Sequence, residues 1–521
     1  MSRARHRSVV LPALAAAIAC VLAIQPADSK EKKPMKPTSN PAKDGAVRTV
    51  LLPAPSSPLT AFRIQFGCGS IDDPAGKEGL NALTALTIGE GGTREMTYRE
   101  LTDRLYPMAA TIAPQFDRET TTFVGEAHRD HLKAYYGLLT GVLLRPRFDD
   151  GDFQRSRDFL LAGLTSGLRG NDDEGLGKAA LGYLMYEGHP YRLPDIGTVQ
   201  GLKAITLEDV KAHYLRCYTQ GNAVLGVAGG YPEGLIESLK KDFAALPPGK
   251  PARAALPKPR TIQGVEVMLV EKPAPATAIS IGFPIAVTRS DRDFYALLVA
   301  NSYLGEHRTF NGRLMNKMRG DRGLNYGDYS YIENFVQDGG SALPLPNLAR
   351  RQQFFSIWIR PVAHPNALFA LRQAVRELQK LVDSGMSAPD FEATRKYVLN
   401  VSRLWTQDFS RRLGYRMDSD FYGIPSFIDR IQEELPRLKV EDVNAAVKRH
   451  LQGKNLAVAI VTPDAGAVKE TLLSGRPTPI TYQTPTTSET LLAEDKEIEA
   501  FPLQVNRERL AVVKAQDLFE K

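Results

Sequence analysis

Apolar and polar positions run through the same succession of patterns twice along this chain. From Val50 an apolar strand enters a Pro-Ala-Pro turn, and a second strand, through Phe66, alternates apolar with small or polar residues; from Val267 the same plan leads to Phe283. At an offset of 217, Thr60 meets Thr277, Ala61 meets Ala278, Ile64 meets Ile281 and Phe66 meets Phe283. The same register carries Leu80 onto Leu297 and Leu86 onto Tyr303, which predicts a helix over 293–304 opposite one that begins near Leu80. The far ends match as well. Leu207-Glu208-Asp209-Val210 pairs with Val440-Glu441-Asp442-Val443, and Asn222-Ala223-Val224 with Asn455-Leu456-Ala457, now at an offset of 233. Two ends matching in the same order indicate an internal repeat. The 16 residues gained by the second copy have a natural place, in part, in the Gly/Pro-rich stretch from Gln337 to Asn347.

Each copy reads strand, strand, helix, helix, strand, strand, several helices and a last strand (Ala223 to Ala228; Ala457 to Val461). Strand hairpins followed by runs of helices predict an α+β fold: two homologous domains, each a mixed, largely antiparallel sheet with helices packed on one face. The domains are placed at 47–245 and 263–470. Between them, at 246–262, Pro247, Pro248, Pro251, Pro257 and Pro259 alternate with Lys and Arg, a composition that cannot pair into a sheet and serves as an extended linker. In the extension 471–521 helical periodicity fades, and Arg509 to Lys514 can add a late strand or strap.

Ahead of the first domain, basic Arg3, Arg5 and Arg7, the apolar run from Val9 to Ile24 and the polar exit at Asp28 and Ser29 have the three parts of an export signal over 1–29. The expectation is a periplasmic or secreted protein. Cys20 offers a poor lipoprotein box, since apolar Val21 and Leu22 follow it, and anchoring there is a minor alternative. Lys, Pro, Ser and Asn dominate 30–46, expected as a disordered spacer. No later segment reads as a membrane span. The net charge of +7 is interleaved with acids rather than clustered, which argues against a nucleic-acid partner. Cys68 is placed in a strand and Cys217 at a helix end, both as buried thiols, with a disulfide the lesser alternative.

The stretch Gly79-Leu80-Asn81-Ala82-Leu83-Thr84-Ala85-Leu86-Thr87-Ile88-Gly89-Glu90-Gly91-Gly92-Thr93 is by itself a short buried helix with no side chain fit for acid, base or ligand chemistry. In its surroundings it resembles the signature of the pitrilysin/insulinase (M16) metallopeptidases, a helix of pattern G-L-x-H-x-x-E-H closing in G-T, in which two His bind zinc and the Glu activates water. On this chain the first His falls on Ala82, the Glu on Ala85 and the second His on Leu86. The family's third ligand, a Glu on a later helix, falls on Gly163 or its neighbour Ala162. His189-Pro190-Tyr191 with Gly197-Thr198, and Tyr218 through Asn222-Ala223-Val224, add weaker matches in family order. The resemblance covers roughly 45–470. It implies paired α+β domains, no metal in this chain, and a zinc-bearing partner.

In the second copy, Arg313-Leu314 through Arg319-Gly320-Asp321-Arg322-Gly323-Leu324-Asn325-Tyr326 resembles the family segment whose Arg and Tyr, seven residues apart, bind the substrate backbone at the scissile bond. The carry-over lands on Arg319 and Tyr326. A guanidinium and a phenol are donors that can be aimed at a carbonyl oxygen as it becomes an oxyanion. The competing interpretation has Arg319 capping a helix end and Tyr326 filling a strand face.

Elsewhere His128 and His131, near Glu126 and Asp130, are the one close His pair, expected as a solvated cluster at a strand-to-helix junction because zinc needs three or four convergent ligands. No Ser-His-Asp or Cys-His nucleophile pattern, P-loop or dinucleotide fingerprint is evident. Three readings result. The first is a non-catalytic M16 subunit that forms a heterodimer with an HxxEH-bearing homologue and lends it Arg319 and Tyr326 for the hydrolysis of unstructured peptides. The others are an inert scaffold or peptide-binding protein of the same fold, and a hydrolase using residues the sequence does not reveal.

Overall fold

The computed structural model describes residues 47–521 apart from Ala252, Ala254, Phe310, Asp338, Gly340, Pro485 and Thr486, together with the backbone of 38–40. The expected export signal lies outside the described residues, as does the expected spacer save for its strand at Thr38–Asn40.

Two six-stranded sheets repeat one topology. The first contains β1 (Thr38–Asn40), β2 (Arg48–Pro53), β3 (Leu59–Phe66), β4 (Ala113–Phe116), β5 (Thr121–His128) and β6 (Ala223–Gly229), in the spatial order β1-β2-β6-β3-β5-β4. The second contains β7 (Val265–Glu271), β8 (Thr277–Ile285), β9 (Asp328–Tyr331), β10 (Gln353–Val362), β11 (Leu456–Thr462) and β12 (Val505–Lys514), in the order β12-β7-β11-β8-β10-β9. β2 runs parallel to β6 and β7 parallel to β11, while the strands from β6 to β4 and from β11 to β9 alternate. The sheets are therefore mixed and largely antiparallel, as the repeat predicts. They differ at one edge: β1 is antiparallel to β2, whereas the late strand β12 lies parallel to β7.

The offset between copies grows in one loop. Residues 117–120 join β4 to β5, whereas 332–352 join β9 to β10. The longer loop packs against the first half: Arg63 donates to Asn347 Oδ1 at 2.8 Å and Gln115 to the Pro346 carbonyl at 2.7 Å. Arg350 holds Asp117 through two hydrogen bonds, at 2.9 and 2.5 Å, and both side chains are buried. Glu119, fully buried, takes Arg351 at 3.1 Å and linker residue Arg253 at 3.2 Å. Buried carboxylates are stable only when paired in this way.

Each sheet carries its own helices on one face, where Phe62, Ile64 and Phe66 meet Tyr135, Leu139 and Val142 of helix Leu132–Leu144. The other face holds an addition to the expected layering, because it is covered by a helix from the opposite half. Leu413 and Met417 of helix Phe409–Phe421 cluster with Val50, Ala61, Val224 and Ala228 of the first sheet. Helix Asp173–Met185 of the first half lies reciprocally on β8 and β11 through Leu176, Ala180 and Leu181. Small residues make room for it: a Cβ built on Gly282 would stand 3.2 Å from Leu181. β6 and β11, apolar but for Thr462 and buried along their whole lengths, fit strands covered on both faces.

The extension is also structured beyond expectation. Besides β12 it forms helix Glu489–Glu499, capped by Ser488, and its last residues cross back to the first half, where Val199 and Gln200 donate to the Phe519 and Glu520 carbonyls.

Candidate functional site

Helix Leu80–Gly89, where the metal-binding residues of the M16 pattern would fall, is buried at all ten positions. Its N-terminus is fixed by Asp73, whose carboxylate accepts from the N–H groups of Gly79 at 2.8 Å and Asn81 at 2.7 Å, satisfying donors that a helix start leaves open. Burial pushes the Asp73 carboxyl up to about 7, although those two hydrogen bonds and nearby His213 favour its charge. Gly79 has φ +105, and a Cβ there would lie 2.7 Å from Leu202, so the chain can enter the helix only with glycine. Thr84 and Thr87 turn their hydroxyls back onto the carbonyls of Leu80 and Leu83, each at 2.7 Å.

Ala82 and Leu86 belong to one apolar cluster with Leu80, Leu83, Phe153, Leu160, Leu202 and Val210, and Ala85 is equally buried. The space in which a metal and its water would have to sit is thus filled by hydrocarbon. Gly163 lies exposed where helix Asp150–Ala162 widens into a π-helical stretch, Gly163–Asn171, and Ala162 beside it is exposed too. Neither glycine nor alanine has a ligand atom on its side chain, so residues 82, 85, 86 and 163 do not fit a zinc ion.

Arg319 and Tyr326 come together. The Arg319 guanidinium stands 4.5 Å from the centre of the Tyr326 ring and donates to the Tyr326 carbonyl at 3.2 Å. Tyr326 is 72% exposed, an unusual setting for a large aromatic ring and the opposite of a packed strand face. The scaffold beneath is packed. Met315 and Met318 are buried, and Arg319 is the penultimate residue of a π-helical turn, Met315–Gly320, after which Gly323 at φ +62 donates to the Arg319 carbonyl. Arg322, with no side-chain exposure, binds Asp495 at 2.7 Å and Glu494 at 3.1 Å on the extension's helix. Burial disfavours charge on Glu494, but Arg322, Lys317 and Arg376 outweigh it and hold that carboxyl down at about 2. This bracing was not foreseen from the sequence; its signal was Ser488 followed by a short amphipathic run, masked by the Pro/Thr-rich residues before it.

Behind Tyr326, Asn325 donates to Asp328 Oδ1 at 2.7 Å and to the Arg360 carbonyl at 2.9 Å. Asp328 is fully buried, its Oδ2 has no hydrogen-bond partner, and burial pushes its carboxyl up to about 8, against the opposing pull of Asn325 and Arg360. A carboxyl whose folded value is raised stabilises the fold most when protonated. That contribution is full below the unfolded value near 4 and is lost as pH climbs toward 8. Asp328→Asn is therefore expected to match the parent protein in urea melts at pH 4.5 and to exceed it by a margin that widens up to pH 8.5. A margin independent of pH would contradict a neutral Asp328.

His128 ends β5 and His131 precedes helix Leu132–Leu144; His128 Nδ1 lies 3.2 Å from Asp130 with both side chains largely exposed, the expected solvated junction. Cys68 lies just past β3 rather than inside it, and Cys217 ends helix Leu207–Cys217; both are buried free thiols that share Asn222, whose amide donates to Cys68 Sγ at 3.3 Å and to the Cys217 carbonyl at 2.7 Å. The sequence reading passed over one arrangement, His213 and Cys217 a helical turn apart. Both are about 98% buried or more, out of reach of any substrate.

Residues 204–398 match the family model described as peptidase M16 inactive domain. A Bacillus subtilis protein named uncharacterized zinc protease YmxG is 21% identical over 419 residues, which cover 80% of this chain and 96% of the relative. A Helicobacter pylori protein named non-peptidase homolog YmxG is likewise 21% identical, over 77% of this chain and 88% of its own length. A solved peptidase M16 inactive domain from Pseudomonas fluorescens superposes with a TM-score of 0.71 at 22% identity, covering 82% of this chain and 98% of that one, a likeness of fold.

Proposed function

We propose that this chain, similar to M16 proteins over most of its length and without ligand side chains at the zinc-motif positions, is an exported non-catalytic subunit which pairs with a zinc-bearing homologue and contributes Arg319 and Tyr326 to peptide hydrolysis. One observation carries the reading: the helix that would hold the metal has become apolar core, while Arg319 and Tyr326 remain stacked with the tyrosine in solvent on a braced segment. Loss of every metal group alone would suit an inert scaffold equally well. A largely exposed tyrosine stacked on an arginine has no evident use in a scaffold, because an exposed aromatic ring gives up the burial that would stabilise it.

Zinc and its activated water belong to the partner in this account. This chain's residues bind and orient: the guanidinium and the phenol act as donors toward a peptide carbonyl whose oxygen gains charge during attack. Export follows from the leader read in 1–29, and the substrates are unstructured peptides, since only an extended chain can lay its backbone against such a pair. Among the described residues no helix is long and apolar enough to cross a membrane.

The experiment is reconstitution. Mixed with an M16 homologue that carries an intact HxxEH motif, ideally one encoded beside it, the chain is expected to yield chelator-sensitive cleavage of an unstructured peptide well above that of either protein alone. Activity of the homologue that is indifferent to this chain would favour the scaffold reading.

A further inference from the structure

A cavity of about 640 Å³ opens where strands β2, β3 and β6 of the first sheet, the interdomain linker and the end of helix Phe409–Phe421 meet. Its charged lining is one-sided: Arg48, Lys250, Arg253, Arg351 and Arg416 against the single acid Asp420. Asp420 pairs with Arg416 at 3.1 Å, and Glu119, behind the wall, takes Arg253 and Arg351. Asp420 also feels the charge of Arg48, and cations still outnumber acids five to one among the lining residues. Arg48 and Lys250 make no ion pair among the described residues, and the uncharged remainder of the lining is polar at Thr49, Gln65, Thr120 and Asn222 and apolar at Val224, Met417, Phe421 and Ile424 among others. A concave, partly desolvated wall of one sign focuses its field into the cavity and favours a ligand of opposite sign.

The spread of the charges defines the ligand. The cations come from β2, the linker, the β9–β10 loop and helix Phe409–Phe421, around a volume within the range of small-molecule and peptide-segment sites. That layout suits several separated carboxylates better than one compact phosphate. The stretch 30–46, which precedes β2 in the sequence, is a poor occupant on charge grounds, with Lys30, Lys32, Lys33, Lys36 and Lys43 against Glu31 and Asp44. We propose that this cavity binds an acidic segment of a peptide. The choice of a peptide over another polyanion rests on the peptide-handling function proposed above; the demand for negative charge does not.

The test is fluorescence anisotropy on the full chain with a labelled hexaglutamate peptide flanked by Gly and Ser. The parent protein should bind it with an affinity that falls as salt rises, and Arg48→Gln/Lys250→Gln, still folded by its melting profile, should weaken binding about tenfold. The control Lys203→Gln/Lys454→Gln, which removes the same charge from exposed sites elsewhere, should change it less than about twofold. Equal losses in both double variants would reduce the effect to net charge and overturn the proposal. Unchanged affinity in Arg48→Gln/Lys250→Gln would overturn the cavity while leaving peptide handling intact. Binding of inorganic triphosphate that depends on Arg48 and Lys250, without binding of hexaglutamate, would overturn the peptide as ligand. Failure of acidic and neutral unstructured peptides alike to bind the parent would count against the peptide-handling function itself.

Discussion

Arg319→Ala, and separately Tyr326→Phe, should lower the turnover of the mixed complex by about 100- to 1,000-fold, roughly 3 to 4 kcal/mol for the loss of one oxyanion donor, with folding and association unchanged. The structure makes the second substitution particularly informative. Phenylalanine keeps the ring that Arg319 stacks on at 4.5 Å and removes only the hydroxyl, so a fall in turnover reports the donor and not the packing. Arg319→Lys should be nearly as damaging as alanine, because an ammonium reproduces neither the planar stack nor the fork of N–H donors. Because Tyr326 is largely exposed, truncation there opens no core cavity, and stability should move by less than about 0.5 kcal/mol. Unchanged turnover in both variants, with the complex verified as assembled, would leave the scaffold reading as the better one.

Restoring the family pattern by Ala82→His, Ala85→Glu and Leu86→His should unfold the protein rather than create an enzyme. From the sequence, the expectation is only that two ligands without the third hold metal loosely. The structure raises the stakes, since the three positions are 0–5% exposed and two of them share a packed cluster with Phe153 and Leu160. Forcing larger side chains into such a core at 82 and 85 costs about 1–3 kcal/mol each, and an imidazole in place of Leu86 buries polar nitrogens among hydrocarbon. A glutamate at 85, a fully buried position, adds the desolvation of a carboxylate. Together these approach the roughly 5–15 kcal/mol that holds an ordinary domain folded. Insoluble protein, or a urea transition moved to far lower denaturant, is the expected result. A folded triple variant with tight metal binding would show that the core can open there and that another residue supplies the missing ligand.

Much of this organisation was legible in the sequence, because a duplicated fold writes its register twice. Thr60 against Thr277 and Asn222 against Asn455 locate the paired strands, and the change of offset from 217 to 233 points to the loop that grew. The exchange of helices between halves was not legible. Periodicity along β3 shows one apolar face and one face of Ala61, Arg63 and Gln65, and only the tertiary structure reveals that the second face meets a helix some 350 residues further along the chain, with Arg63 donating to the Ser410 carbonyl at 2.7 Å. Helix Glu489–Glu499 was missed for a related reason: its acids are read by Arg322, Lys317 and Arg376, partners that lie far away in sequence. For the candidate site, the resemblance of 313–326 to the M16 segment pointed to Arg319 and Tyr326. Their stacking and exposure depend on a π-helical turn and a left-handed Gly323, features that no period of 2 or 3.6 residues encodes.

The central claim is that the helix at 80–89 has become core and that this chain holds no catalytic metal. Metal analysis of the purified chain tests it most directly, after equilibration with excess zinc and removal of loosely bound ions. With Ala82, Ala85, Leu86 and Gly163 offering neither lone pair nor charge, the account predicts no stoichiometric zinc and background peptidase activity by the chain alone. About one tightly held zinc per chain, with chelator-sensitive turnover in the absence of a partner, would contradict it.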